Sequence, residues 1–239
     1  MRRLLTIALL LPLLPLLAAC GDVLNDPYPA AERGRNILYA AFPERPKHLD
    51  PAQSYSENEA VFTAQIYEPP LQYHYLKRPY TLIPSTAVAV PKPSYLDAAG
   101  RPVADGEDAA RIAYTDYVIE IRPGIRYQPH PAFARKADGR HAYHALTAAE
   151  LADVNALADF PLRDARELLA EDYVYEIKRL AHPRLHSPLL GLMSEYIVGL
   201  GELARELQEA DKGHENEWLD LRRHALAGAE VIDRYRYRI

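Results

Sequence analysis

The fold is decided by the stretch Tyr114-Thr115-Asp116-Tyr117-Val118-Ile119-Glu120-Ile121, which is followed by Arg122-Pro123-Gly124. Its β-branched and aromatic residues predict a strand, and the Pro-Gly pair predicts the turn that ends it. The apolar runs Asn36 to Phe42 and Leu82 to Val90 predict two further strands. Arg234 to Ile239 alternates with a period of two residues, which predicts a strand with one buried face.

Helices are predicted on both sides of this stretch. Ser56-Glu57-Asn58-Glu59 has the pattern of a capping box and opens a helix that Pro69-Pro70 would end. Glu171 to Ala181 has a helical apolar face. Leucines, Met193 and Tyr196 recur at helical spacing from Leu189 to Leu207. These spacings predict a chain of mixed helix and strand.

A further helix is expected near the end of the chain. Asn216 is a residue type that caps helices, and the predicted helix carries Trp218, Leu221 and Ala225. Gly213 is the expected stop of the preceding helix.

The first residues have the order of an export leader. Arg2 and Arg3 precede an uncharged stretch from Leu4 to Ala19, and the only cysteine, Cys20, follows. The apolar run is shorter than the roughly 20 residues of a membrane-spanning helix. We therefore predict a leader that is removed rather than a helix that anchors the chain.

Charge and cysteine content exclude several classes of function. The chain has 28 basic and 33 acidic residues, a formal charge of −5, and loss of the leader removes Arg2 and Arg3 as well. A nucleic-acid partner is not expected, because phosphate binding relies on clustered Lys and Arg. The single cysteine allows no internal disulfide.

The segment Leu17-Ala18-Ala19-Cys20-Gly21 resembles a lipobox, the pattern in which the bacterial lipoprotein cysteine is acylated. This resemblance implies a signal peptide over residues 1–19, lipidation of Cys20 and a proline-bearing tether over residues 20–35. A domain over residues 36–239 follows. Acyl chains hold a soluble domain on a membrane because each buried CH₂ contributes about 0.8 kcal/mol.

Four segments in order resemble the extracellular solute-binding proteins of the oligopeptide, dipeptide and nickel type, family 5 of these proteins. The segments share their positions near the ends of predicted strands and helices. They are Asn36–Phe42 with Leu49-Asp50-Pro51, Gln65–Leu71, Tyr117–Tyr127 and Ala170–Arg179. Leu169 replaces the threonine that usually caps the fourth segment, and Gln128-Pro129-His130-Pro131 replaces the usual Asp-Gly.

The resemblance implies the first lobe of a type II periplasmic-binding-protein-like α/β fold, with the second lobe beyond Ile239. It implies a monomeric, lipid-anchored receptor in the periplasm or cell envelope that binds a small solute, expected to be an oligopeptide. Its partners would be an ABC permease and ATPase, and it would need no cofactor or metal and perform no chemistry. Binders of peptides, nickel complexes and sugars share this front half.

The expected ligand contacts follow the first predicted strand, since strand ends of such lobes supply the cleft. They are Phe42 and Glu44, with Tyr55 as a third candidate, and Glu44 is suited to pair with a ligand amine. Two alternatives stay open. One is an envelope metallohydrolase that uses His130, His141 and His144. The other is a structural lipoprotein that scaffolds envelope proteins.

Overall fold

A computed structural model describes residues 27–104, 106, 108–214 and 217–239. The chain forms two compact units, of which the first ends at Pro43 and the second spans Glu44–Ile239. The predicted signal peptide, Cys20 and the first part of the predicted tether lie outside the described residues.

The described part of the first unit is mostly irregular. It has one short 3-10 turn, Ala30–Glu32, and the ring of Tyr28 stacks on that of Tyr39 with centroids 3.7 Å apart. The predicted strand from Asn36 to Phe42 is wrong, because this segment has no strand partner and Leu38 is 93% exposed. An apolar run forms a strand only where a neighbour satisfies its backbone.

The second unit combines short helices and strands, which confirms the predicted mixture of the two. Its described α-helices are α1 (Glu57–Ile66), α2 (Ala170–Arg179), α3 (Leu190–Ser194) and α4 (Leu200–Asp211). Its described strands are β1 (Leu71–Tyr73), β2 (Leu82–Pro84), β3 (Pro93–Leu96), β4 (Pro102–Val103), β5 (Tyr114–Glu120), β6 (Glu230–Val231) and β7 (Arg236–Arg238). None of the helices in the described ranges has the length and apolar character needed to cross a membrane.

The main sheet has the order β4-β3-β5-β7-β6, and β1 and β2 form a separate hairpin. The predicted strands at Tyr114 and Arg234 are confirmed and lie side by side, with Ile119 opposite Tyr237. All strand pairs among the described residues are antiparallel. The carboxyl ends of the strands therefore do not lie together at one edge of the sheet, as they would in a parallel sheet. The expectation that Phe42 and Glu44 lie in a ligand cleft beside a strand end is therefore not supported.

The core of the second unit lies between this sheet and the helices. Tyr237 is buried on β7, and its ring stacks on Tyr173 of α2 with centroids 5.7 Å apart. Other buried residues come from β5, α2, α4 and the segments that flank them. They are Ala87, Ile119, Ile121, Leu168, Ala170, Val174, Ala181, Ile197, Leu200, Leu203, Leu207, Leu221, Leu226 and Ala229.

Two predicted helix starts are explained by their side chains. α1 begins after Ser56, whose N–H donates to Glu59 Oε2 at 3.2 Å, as the capping box predicted. α2 begins after Leu169 although this residue has no capping side chain. The Leu169 N–H donates to Asp172 Oδ2 at 2.9 Å, so the helix supplies its own half of a capping box. The Asp172 N–H, whose acceptor in a full capping box is the threonine hydroxyl, donates to Leu169 O at 3.1 Å.

The prediction of one continuous helix from Leu189 to Leu207 is wrong, because the helix is interrupted between α3 and α4. Gly199 has a φ of +80°, a left-handed backbone that side chains disfavour. Gly228 packs against the break and donates its N–H to Val198 O at 2.7 Å. Leucine spacing alone carries no information on this contact with a distant glycine.

The helix predicted to carry Trp218 is also wrong. Asn216 lies outside the described residues, and Asp220 instead caps a 3-10 turn, Leu221–Arg223, by accepting the Arg222 N–H at 3.1 Å. Of the three apolar residues on the predicted face, Trp218 and Ala225 are exposed and only Leu221 is buried, which is too little to hold this segment as an α-helix.

We predict that Gly228→Ala destabilises the protein by about 1–3 kcal/mol. A Cβ at this position would lie 2.5 Å from Val198 O and 2.6 Å from Val198 N, so the backbone must shift. Gly191→Ala is the control, because a Cβ there meets nothing within 4 Å and alanine favours a helix by up to about 1 kcal/mol. Urea unfolding measures both, and equal stabilities would refute the close contact.

Candidate functional site

Two of the three predicted ligand contacts lie on one segment of the second unit. Glu44 and Tyr55 are both exposed, and Tyr55 is 71% exposed. Among the described residues, neither side chain forms a hydrogen bond or an ion pair. Phe42 is also exposed but belongs to the first unit. The structure therefore places Glu44 and Tyr55 on a common segment, residues 44–56, without Phe42.

The backbone of segment 44–56 is fixed by one buried carboxylate, that of Glu59 on α1. Its Oε1 accepts the N–H groups of Lys47 and His48 at 3.1 and 2.9 Å. Its Oε2 accepts those of Tyr55 and Ser56 at 3.0 and 3.2 Å. These bonds, first those from Tyr55 and His48, lower the Glu59 pKa to about 2. The carboxylate thus ties both ends of the segment to α1.

The middle of the segment is held by an ion pair with α2. Arg179 donates to both oxygens of Asp50, from Nη2 to Oδ2 and from Nη1 to Oδ1 at 2.9 Å. Arg179 Nη1 also donates to Glu176 Oε2 at 2.8 Å. Burial works against ionisation of Asp50, yet the hydrogen bond from Arg179 leaves its pKa below the usual value. A two-pronged bond of this kind fixes orientation as well as distance.

A second residue of α2, Tyr173, bonds to the residues between α1 and β1 and to Thr86, which follows β2. The Tyr173 hydroxyl donates to Glu68 O at 2.9 Å and lies 2.6 Å from Thr86 Oγ1. Thr86 is fully buried. Burial raises the Tyr173 pKa, so the hydroxyl stays protonated and able to donate.

The turn after β5 is tied to the residues just before α2. Glu167 Oε1 accepts the Gly124 N–H at 2.7 Å and the Tyr235 hydroxyl at 2.9 Å. Glu167 Oε2 accepts from Arg234 Nη2 at 2.6 Å. These bonds, led by the one from Arg234, lower the Glu167 pKa to about 2. One carboxylate therefore joins the Arg-Pro-Gly turn to the segment before β7.

Helix α2 and its flanks consequently touch parts of all four segments that carry the family resemblance. Arg179 reaches Asp50, Tyr173 reaches Glu68, and Glu167 reaches Gly124. The order of these segments along the chain is evident from the sequence, but the contacts of one helix with all of them are not.

Sequence reasoning missed a groove of about 770 Å³ between α2, α4 and the residues around β6. Its floor includes Val174, Leu203 and Leu226, and its rim includes Lys178 and Glu202. Small-molecule sites have volumes of roughly 300–1,000 Å³, an apolar lining and a few polar groups. No motif marks the groove because its lining comes from helix faces that read as ordinary core.

Residues 135–144, which include two of the three histidines of the metal hypothesis, line an open pocket of about 370 Å³ with mainly basic side chains. His141 and His144 line it beside Arg135, Lys136 and Arg140. His130 does not line it.

The contacts of these histidines bear on the metal hypothesis. His130 Nδ1 instead accepts the Ala132 N–H at 3.0 Å. Within the described ranges, no group of three His, Cys, Asp or Glu side chains is placed to hold a metal ion. The described residues therefore do not bring His130, His141 and His144 together as a metal-binding set.

Comparisons with protein-family models, with curated proteins and with solved structures find no match to this chain.

We predict that Glu59→Gln destabilises the protein at neutral pH and that this loss depends on pH. The carboxylate stabilises the fold fully above pH 4.5, its ordinary pKa, and loses this effect as the pH falls towards 2. The stability difference between wild type and variant should therefore shrink over that interval. Urea unfolding at a series of pH values measures it.

The control is Glu57→Gln, an exposed carboxylate in the same first turn of α1. It should leave stability nearly unchanged at each pH. A wild-type advantage over Glu59→Gln that is the same at pH 2 and pH 7 would contradict the role of the ionised carboxylate.

We predict that Tyr173→Phe lowers stability by about 0.5–1.5 kcal/mol because it removes a hydroxyl that bonds two groups. Tyr175→Phe is the matched control on the same helix, since the Tyr175 hydroxyl forms no hydrogen bond among the described residues. Thermal or urea unfolding compares them. Equal effects of the two substitutions would show that the Glu68 and Thr86 contacts contribute nothing.

Proposed function

We propose that this chain is the first lobe of a lipid-anchored solute-binding protein with a type II periplasmic-binding-protein-like α/β fold. It captures a small solute, an oligopeptide in our proposal, and presents it to an ABC permease and its ATPase. It is anchored in the cell envelope through acylated Cys20, acts as a monomer and carries out no chemical step. The observation that carries this proposal is the fixed segment 44–56 with its exposed Glu44 and Tyr55, whose side chains have no hydrogen-bond or ion-pair partner among the described residues.

The fixed backbone supports a role in binding. A loop that presents polar groups to a ligand loses less entropy on binding when its conformation is already set. Glu59 and Arg179 provide this for segment 44–56, from its two ends and its middle. The buried Glu59 carboxylate bonds backbone N–H groups of the segment, so the outward side chains of Glu44 and Tyr55 remain available to a ligand.

The chemistry of the two side chains suits the amino end of a peptide. A carboxylate such as that of Glu44 pairs with a ligand ammonium group, and a tyrosine ring offers apolar area with one polar atom. Affinity for the rest of an extended peptide comes from backbone hydrogen bonds, which tolerate varied side chains.

We predict that Glu44→Gln weakens binding of a peptide with a free amino end by about two- to fivefold, the usual contribution of an exposed ion pair. The same peptide with an acetylated amino end should bind wild type and variant equally. Glu195→Gln, an exposed carboxylate after α3, is the control and should bind both peptides as wild type does. Isothermal titration of the purified protein with both peptides measures these affinities.

Two results would contradict the proposal. Equal effects of Glu44→Gln on the free and acetylated peptides would exclude recognition of the amine by Glu44. Absence of binding to peptides, nickel complexes and sugars, together with stoichiometric zinc in the purified protein, would replace the receptor by the metallohydrolase.

A further inference from the structure

The hairpin of β1 and β2 ends in an exposed loop that is apolar and basic. Tyr75 is 89% exposed, Leu76 77% and Tyr80 70%, and Lys77 and Arg78 lie between them. Large apolar side chains grouped at a surface mark a contact site more often than apolar residues that are scattered singly. We call residues 75–80 the hairpin tip.

The hairpin tip has an ordered backbone. His74 Nδ1 accepts the N–H groups of Leu76 and Lys77, both at 3.2 Å, and the His74 N–H donates to Thr81 O at 2.8 Å. Arg78 donates to Lys77 O at 2.9 Å. The exposed side chains are therefore displayed from a fixed turn.

Two aromatic rings of the hairpin, one of them in the tip, lie together with the Arg78 side chain. The guanidinium of Arg78 lies over the Tyr80 ring, 4.6 Å from its centroid. The Tyr73 and Tyr80 rings meet edge to face with centroids 5.7 Å apart. The Arg78 guanidinium and the rings of Tyr73 and Tyr80 thus form a single cluster.

The charge of this region is opposite to that of the whole chain. The protein carries a formal charge of −5, yet no Asp or Glu occurs between Glu68 and Asp97. Only the backbone of Lys77 forms hydrogen bonds among the described residues, and its ammonium group has no ion-pair partner there. The tip therefore complements an anionic surface, whereas most of the chain would be repelled by one.

We propose that the hairpin tip contacts the surface of an anionic lipid bilayer. Tyrosine is enriched at the level of lipid headgroups, and lysine and arginine reach the phosphates while their stems cover apolar area. The inference rests on the lipid anchor of the proposed function, because acyl chains at Cys20 would keep the tip at high local concentration near lipid.

The test uses the acylated protein, purified from bacterial membranes and reconstituted into vesicles of phosphatidylcholine, with or without phosphatidylglycerol. Tyrosine nitration is measured by peptide mass spectrometry. We expect phosphatidylglycerol to protect Tyr75 and Tyr80 and to leave Tyr196 unchanged. Tyr196 is the internal control because it is 72% exposed and lies after α3, away from the hairpin in sequence.

Lys77→Ala and Arg78→Ala should each lower the docking equilibrium of the tip by about fivefold, from about 1 kcal/mol per cation near an anionic surface. Lys212→Ala, which removes an exposed lysine paired with Glu209, should have no effect on nitration of the tip.

Three outcomes would overturn the proposal. Equal nitration in the two lipids would do so, and protection that appears only in native membranes with their proteins would identify a protein partner instead. The mass of the peptide that begins at Cys20 shows whether the chain is acylated, so the lipid contact of the tip and the lipid anchor can be tested separately. An acylated chain with an unprotected tip refutes the lipid contact alone, whereas a chain without acyl mass refutes the anchor and the inference together.

Discussion

The second unit depends on the pairing of β5 with β7, two strands more than a hundred residues apart in the chain. Their register puts Ile119 opposite Tyr237 on the buried face of the sheet. Tyr237 then stacks on Tyr173, which fixes where α2 lies. Pairing over so long a loop has a high entropic cost, so the burial of these side chains must offset it.

The polar contacts of α2 follow from that position. Once Tyr173 packs on Tyr237, its hydroxyl reaches Glu68 O and Thr86, and Arg179 at the end of the same helix reaches Asp50. Glu167 joins the turn after β5 to Arg234 just before β7. The helix therefore transmits the geometry of the sheet to segments that contribute no strand to it. Such partly buried, mutually bonded groups specify one arrangement because a shifted helix would leave them unpaired.

Local patterns in the sequence predicted those elements whose stability is local. The capping box at Ser56, the apolar face of α2 and the alternation around Tyr237 each carry their own physical reason, and each is present in the structure. The predictions failed where a distant residue decides. The break between α3 and α4 depends on the approach of Gly228 to Val198, and residues 36–42 lack the neighbour that a strand requires.

The candidate site could be predicted only in part for the same reason. The prediction of Glu44 as a ligand contact rests on a strand at residues 36–42 that the structure lacks, whereas the exposure of Glu44 and Tyr55 on one segment leaves both side chains accessible. The hydrogen bonds from four backbone N–H groups of that segment to Glu59 could not be predicted, because the capping box accounts for only one of them.

The residues that fix segment 44–56 differ from the residues exposed on it, and this has a consequence for the proposed binding. The groups that shape segment 44–56 are buried or paired, whereas the side chains of Glu44 and Tyr55 form no hydrogen bond or ion pair among the described residues. Exchange of an exposed side chain would therefore alter ligand preference without loss of the segment's conformation. Loss of Glu59 would release the backbone and affect every ligand alike. In the proposed receptor, the residues that hold the site are therefore separate from the residues that contact the ligand.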